Sequence, residues 1–236
     1  MRVFIGVGHG GRDAGAVYEP AALMEKEVNL TIALAMKDEL EKYGIAVSMS
    51  RSTDENDPLA EEIDEANAFN PDVAVEVHTN AGGGSGFEVY RQTSISFGEH
   101  SLRLAEEIYD SVFWSTKAPV RKPAIRTKLM ADGRDWFGWL RGVNCPAVLC
   151  EGFFVDNETD REFYKDRDAL LSLGKAYAHG VLSYLGIKPN PDTGNDVIYR
   201  VQTGAFVNHE NAEAYAKMLT NAGYPAIIKE ETKNDR

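Results

Sequence analysis

The chain has 236 residues, 43% hydrophobic and 26% charged, which excludes a disordered or collagen-like chain and allows one substantial core plus a small appendage. A formal net charge of -12 argues against nonspecific binding to nucleic acid or to an anionic membrane, because both would repel it. No apolar run approaches the ~18 residues needed to span a bilayer and the N-terminus lacks the regions of a signal peptide, so cytoplasmic synthesis without membrane insertion is expected.

Arg2 to Val7 reads as a strand. Val28, Ile32, Met36 and Leu40 then recur at helical spacing in a stretch free of Gly and Pro, predicting a helix between Pro20 and Gly44 that Glu25 opens. "IAVSMSR" is a second strand, and Pro58 to Phe69 a helix with Leu59, Ile63 and Ala66 on one face. "PDVAVEVH" is a third strand, "GFEVY" a fourth and "PAVLCEGFF" a last, buried one, while Ser101–Val112 and Ala169–Leu185 read as helices with apolar faces. This alternation predicts an α/β layer fold with a largely parallel sheet. Cys145 and Cys150 fall five apart in the last strand, on opposite faces, and are expected to be free thiols.

"GIKPNPDTGND", with two prolines, two glycines and no apolar period, is a linker by composition. The expected organisation is a domain over 1–187, a linker over 188–196 and a tail over 197–236. In the tail "VIYRVQTGAF" reads as a strand, Asn211 to Asn221 as a helix and "YPAIIK" as a strand, a small β-α-β unit too short to bury much core alone.

The turn "GVGHGG" poses a choice between phosphate and metal. Gly6, Gly8 and Gly11 satisfy G-x-G-x-x-G, but a dinucleotide fingerprint needs its last glycine to open a helix and an acidic residue about twenty positions on. Gly11 is followed instead by the loop "RDAGAVYEPAA", so the nucleotide reading fails on context. There remains a flexible turn carrying His9 at the carboxyl end of the first strand. His78 ends the third strand and Glu151 lies at the end of the last, and in a parallel sheet such ends share one ligand-binding edge. Glu25 can reach the same crevice. Two histidines, a carboxylate and a further unbound glutamate make a set suited to zinc and metal-assisted hydrolysis. Plainer roles stand beside this one. A histidine at a strand end is more often a hydrogen-bonded surface residue, Glu25 suits a helix N-terminus, and Glu151 suits a buried acid paired with an arginine such as Arg141. His100, His179 and His209 read as structural, and Arg51 and Asp54 as fixing a loop.

"GVGHGGRDAGA", "EKEVNL", "RSTD", "EANAFNPDVAVEVHTNAGG" and "PAVLCEGFFVDN" resemble, in order and spacing, the zinc-dependent N-acetylmuramoyl-L-alanine amidases of the type 3 group (Amidase_3), over roughly the first 187 residues. The resemblance implies zinc ligands at His9, Glu25 and His78, a catalytic glutamate at Glu151 with Asn157 at the matching distance, and a mostly parallel twisted sheet of about six strands flanked by helices. It also implies cleavage of the amide joining the lactyl group of muramic acid to L-alanine in peptidoglycan. Asn80 is a candidate for positioning substrate, or else a turn-forming residue. Where many members have serine, this chain has Glu76, on the same side of its strand as His78, expected to orient the ligand rather than replace it. The tail resembles the first half of a SPOR domain, a family that binds peptidoglycan glycan strands. With only half of that content the tail is a glycan binder or a docking appendage, and two chains completing one domain as a homodimer is a further expectation. The rival functions are a zinc peptidase cutting within the stem peptide and a non-catalytic wall-binding module. A phage endolysin released through a holin and an autolysin acting after mother-cell lysis are both compatible with the expected cytoplasmic synthesis.

Overall fold

The run Arg2–Val7 forms strand β1, with five of its six residues buried, so its neighbours in the sheet are fixed by apolar matching on both faces. The computed structural model describes residues 1–18, 23–116, 120–188 and 203–224, with Ala226 and Ile228. It divides into two units, Met1–Pro189 and Asn190–Arg236.

In the first unit, β1 is followed by a two-residue hairpin, β2 (Val17–Tyr18) and β3 (Leu23–Met24), then helix α1 (Glu25–Lys42) and strand β4 (Ala46–Met49). Helix α2 (Leu59–Phe69), β5 (Val73–Asn80), β6 (Phe87–Arg91), α3 (Gly98–Thr116), β7 (Val120–Arg126), α4 (Gly138–Gly142), β8 (Ala147–Phe154), α5 (Glu158–Lys165) and α6 (Arg167–Tyr184) complete it. The main sheet has six strands in the order β4-β1-β5-β8-β6-β7. The β4, β1, β5 and β8 pairings are parallel, β6 runs antiparallel to β8, and β7 is parallel to β6. The expected α/β class and mostly parallel sheet are thus observed.

Alternate residues of these strands feed two cores. Val3, Ile5, Val75, Val77, Val148 and Cys150 pack with apolar residues of α1, α3 and α6, while Phe4, Ala74, Ala147 and Leu149 pack with those of α2 and α4. Each fully buried large apolar side chain contributes about 1.5–3 kcal/mol. Close approach of α6 to its neighbours depends on glycine. A Cβ at Gly180 would stand 2.5 Å from Ile108 Cα on α3, and one at Gly174 would stand 3.0 Å from the Met36 amide nitrogen on α1.

Several expectations need correction. The first helix begins at Glu25 as expected, but the residues before it, Leu23 and Met24, are drawn into the hairpin with β2; Pro20 and Ala21 lie outside the described residues. Cys145 precedes β8 rather than sharing it, although the two thiols do lie in opposite cores, buried and free. Burial pushes the Cys145 thiol up to about 12 and Cys150 well above its ordinary value. Elements β2, β3, β7, α4 and α5 were not among the expected ones.

In the second unit, helix α7 (His209–Asn221) covers the predicted 211–221, with Asn208 as its N-cap accepting from the Glu210 and Asn211 amides. Most of the expected linker and the first part of the strand before α7 lie outside the described residues, as do positions 225, 227 and 229 of the strand after it; residues 203–206 form no strand. No helix among the described residues is long and apolar enough to cross a membrane.

Candidate metal centre

Parallel pairing of β1, β5 and β8 brings His9, just after β1, level with His78 and Glu151, which lie within β5 and β8 rather than at their ends as expected, because those strands run on to Asn80 and Phe154. The Gly8 amide donates to the Val77 carbonyl at 3.0 Å, extending the β1–β5 ladder to the position just before His9. A Cβ on Gly8 would strike the His78 ring, and one on Gly6 would strike Glu76 and Glu62. These glycines therefore clear space for the side chains of β5. After Gly11 comes a loop closed by a Gly10–Asp13 bridge, with no helix start to receive a phosphate. His9 itself has φ 64, a left-handed conformation costing roughly 1–3 kcal/mol for a residue with a Cβ. Its ring is secured by Asp13, whose Oδ2 lies 2.9 Å from Nδ1.

Glu25 is the first residue of α1, 4% exposed, and its carboxyl sits between the two histidines. Oε2 is 3.3 Å from His9 Nε2, and Oε1 is 3.0 Å from His78 Nδ1. The Ala16 and Thr79 amides also donate to this carboxyl, at 2.8 and 3.0 Å. The two rings stand edge to face, 5.0 Å apart at 84°. Behind them, His78 Nε2 lies 3.1 Å from Glu76 Oε1 as Asp13 lies behind His9, so a carboxylate steadies each ring from outside. The facing nitrogens and the Glu25 oxygen then converge, with ligand atoms all within 4.8 Å of one another. Among the described residues, no other group of His, Cys, Asp and Glu converges in this way. Two imidazole nitrogens and one carboxylate oxygen are a donor set that fits zinc with a position left open.

The electrostatics agree with that fit. Burial alone would raise the Glu25 carboxyl, but hydrogen bonds from His78 and His9 outweigh it and hold the group well below the usual carboxylate range. The hydrogen bond to Glu25 raises His9. His78 is raised well above its ordinary value, Glu25 and Glu76 overcoming the effect of burial.

Glu151 stands opposite His78 on β8, and Glu88 stands opposite Glu151 on β6, so register alone sets the three in a row on one face. Burial, with Glu25 and Glu88 adding to it, raises the Glu151 carboxyl to about 7. Among the described residues no arginine pairs with it: Arg141 donates instead to the Asp135 and Trp136 carbonyls. Asn80 ends β5, where its Nδ2 donates to Glu88 Oε1 at 2.9 Å and its Oδ1 accepts from the Ala81 amide. Asn157 caps α5, accepting from the Thr159 and Asp160 amides, and its Nδ2 holds the Gly84 carbonyl. Asp156 binds the Gly82 and Gly83 amides, so the loop after Asn80 is tied to the end of β8.

Arg51 and Asp54 act on the histidine turn as expected. Arg51, 2% exposed, donates to the Val7, Gly8, Thr53 and Lys26 carbonyls, and Asp54 accepts from the Gly11 amide and from Lys26. His179 pairs with Glu39 and His100 lies by Tyr184, both away from the edge. Sequence reasoning overlooked Glu88, which is 2% exposed, accepts from Tyr90 and faces Arg121 and Arg126. Its one sequence signal is a carboxylate within the apolar run "GFEVY".

Residues 3–183 match the family model described as N-acetylmuramoyl-L-alanine amidase, and residues 195–236 match the SPOR domain. The chain is 31% identical over 232 residues to N-acetylmuramoyl-L-alanine amidase CwlM of Bacillus licheniformis, covering 97% of this chain and 84% of that protein. It is also 31% identical over 230 residues to the sporulation-specific N-acetylmuramoyl-L-alanine amidase of Bacillus subtilis (strain 168), with the same shares covered. Among solved structures, the catalytic domain of CwlV, an N-acetylmuramoyl-L-alanine amidase from Bacillus (Paenibacillus) polymyxa var. colistinus, superposes with a TM-score of 0.70 at 28% identity, covering 79% of this chain and 99% of that one.

Proposed function

Because this chain belongs to the N-acetylmuramoyl-L-alanine amidase family and is a peptidoglycan amidase, we propose that it works with zinc held by His9, Glu25 and His78. The observation that carries this reading is the convergence of those three ligand atoms within 4.8 Å, beside the row that bears Glu151. When bound, zinc supplies a Lewis acid that polarises the scissile carbonyl and lowers the pKa of water. Glu151 takes the proton of the attacking water and returns it to the departing alanine nitrogen, which otherwise leaves poorly as an amide anion. A carboxyl raised to about 7 suits both steps near neutral pH. Asn80 contributes to substrate positioning through the rim it forms with Glu88 and the tied 82–84 loop. Glu151→Ala is expected to retain zinc and lose turnover by about 100-fold or more, whereas His78→Ala loses both. Metal content and peptidoglycan hydrolysis measured on the same preparations test this, and an active Glu151→Ala protein contradicts it.

The second unit acts as a glycan-binding segment that pairs with a second copy of the chain. Two observations support this: none of the residues of α7 is buried, and Phe206, Met218 and Tyr224 are 45%, 54% and 57% exposed. Light scattering on the intact protein is expected to give twice the chain mass of 26.0 kDa; a monomer excludes the paired arrangement.

A further inference from the structure

Behind His78, on the side away from Glu25, lies a pocket of acids with a deficit of donors. Glu62 on α2 and Glu76 on β5 are 4% and 2% exposed. Glu62 Oε1 and Glu76 Oε2 have no hydrogen-bond partner among the described residues, although stripping such an atom of water costs roughly 1–3 kcal/mol. Both oxygens crowd one place: a Cβ on Gly6 would overlap Glu76 Oε2 and stand 2.6 Å from Glu62 Oε1. Two buried carboxylates cannot face each other ionised, because their charges repel and neither has a hydrogen to give. A single proton between them supplies the donor that both orphaned atoms lack.

We propose that Glu62 carries this proton at neutral pH and donates it to Glu76 Oε2, making Glu62 a positioning residue for His78, whose Nε2 meets the other oxygen of Glu76. The proposal rests on the reading of His78 as a metal ligand for its consequence, and on the two carboxyl groups alone for its geometry. Glu76 Oε1 is committed to His78 Nε2 at 3.1 Å, leaving Oε2 for Glu62. Held on both oxygens, the Glu76 carboxyl cannot swing, and the imidazole plane is set with it. The charges around Glu62 favour the protonated form. Burial raises its carboxyl well above the ordinary value, Glu76 and Asp57 add to this, and Ser50 opposes it. Ser50, whose Oγ accepts from the Val7 amide, has one hydroxyl hydrogen to give, and it does not reach Glu62 Oε1 or Glu76 Oε2. Arg51 is the nearby cation, but its guanidinium is spent on four backbone carbonyls. Asp57 is itself raised, by burial first and then by Glu76 and Glu65, with Ser50 opposing. A second cation in place of the proton finds no support: among the described residues, converging ligand atoms are found at His9, Glu25 and His78 and not here.

The test uses the full chain and two readouts. Infrared spectroscopy at pH 7 is expected to show a protonated carboxylic acid in Glu151→Gln protein that is lost in the Glu62→Gln, Glu151→Gln double variant, the first substitution removing the signal of Glu151 itself. Absence of that difference overturns the proposal whether or not zinc binds. Zinc affinity, by competition with a chromogenic chelator, is expected to fall about tenfold in Glu62→Leu and to be restored in Glu62→Gln, whose amide donates the same hydrogen bond. Equal weakening by Gln and Leu also overturns it. Should Glu62→Leu fail to fold, the infrared difference and the Gln variant still decide. A Glu62-dependent acid signal in Glu151→Gln protein, together with wild-type protein that binds no zinc, contradicts the metal reading and leaves the shared proton standing.

Discussion

Burial pushes the Glu151 carboxyl to about 7 from an ordinary 4.5, and this has a cost as well as a use. Between those two values the native protein binds more protons at this site than the unfolded chain does, so stability falls as pH rises through the window. Glu151→Gln is therefore expected to stabilise the metal-free protein by about 1–3 kcal/mol at pH 8 and hardly at all at pH 4. Thermal denaturation at the two pH values checks this, and equal effects at both would show an ordinary carboxyl. The proposed reaction has the opposite sign: a Glu151 base works only when ionised, so activity is expected to fall as pH falls, with a midpoint at or below about 7 because a bound cation would favour the carboxylate. At this scale the sequence was informative where a lone ionisable group closed an apolar run, as with His9, His78 and Glu151. It was silent on Glu62 with Glu76 and on Glu88 with Asn80, because those pairings depend on which face of a helix or strand meets which, and no spacing encodes that.

Helix α6 packs against α1 and α3 through its glycines, and this makes a substitution that favours an isolated helix unfavourable here. Gly180→Ala gains up to about 1 kcal/mol of helix propensity, but its methyl would lie 2.5 Å from Ile108 Cα and 2.8 Å from the Glu107 carbonyl oxygen. Overpacking of this kind costs about 1–3 kcal/mol, so a net loss of roughly 1 kcal/mol is expected in chemical denaturation. A variant at least as stable as the parent would show that α6 and α3 separate freely. The long elements were legible because their periodicity is sustained: β1, β5 and β8 as apolar runs, α1 and α6 as helical repeats. The unread ones lack that signal. Strand β7, "VRKPAIR", is a cationic edge strand containing proline, and β2 and β3 are two residues each, the latter hidden inside a helical pattern. Helix α5 has polar residues at most positions and is started by the Asn157 cap rather than by an apolar stripe.

For the whole molecule, one sheet edge collects the proposed ligand set and the proposed proton carrier from three parallel strands and the start of α1, while two matched families, amidase and SPOR, divide the chain along its length. The class of fold was readable because alternation of strand and helix is a property of the entire chain. The bond attacked and the proposed need for metal are properties of the assembled edge. The measurement that bears on them together is mass spectrometry of the fragments released from peptidoglycan by the intact protein, before chelation, after it, and after zinc is restored. The account predicts stem peptides with a free N-terminal L-alanine, absent on chelation and recovered with zinc. Fragments cut within the stem peptide, or release that chelation leaves unchanged, would contradict it.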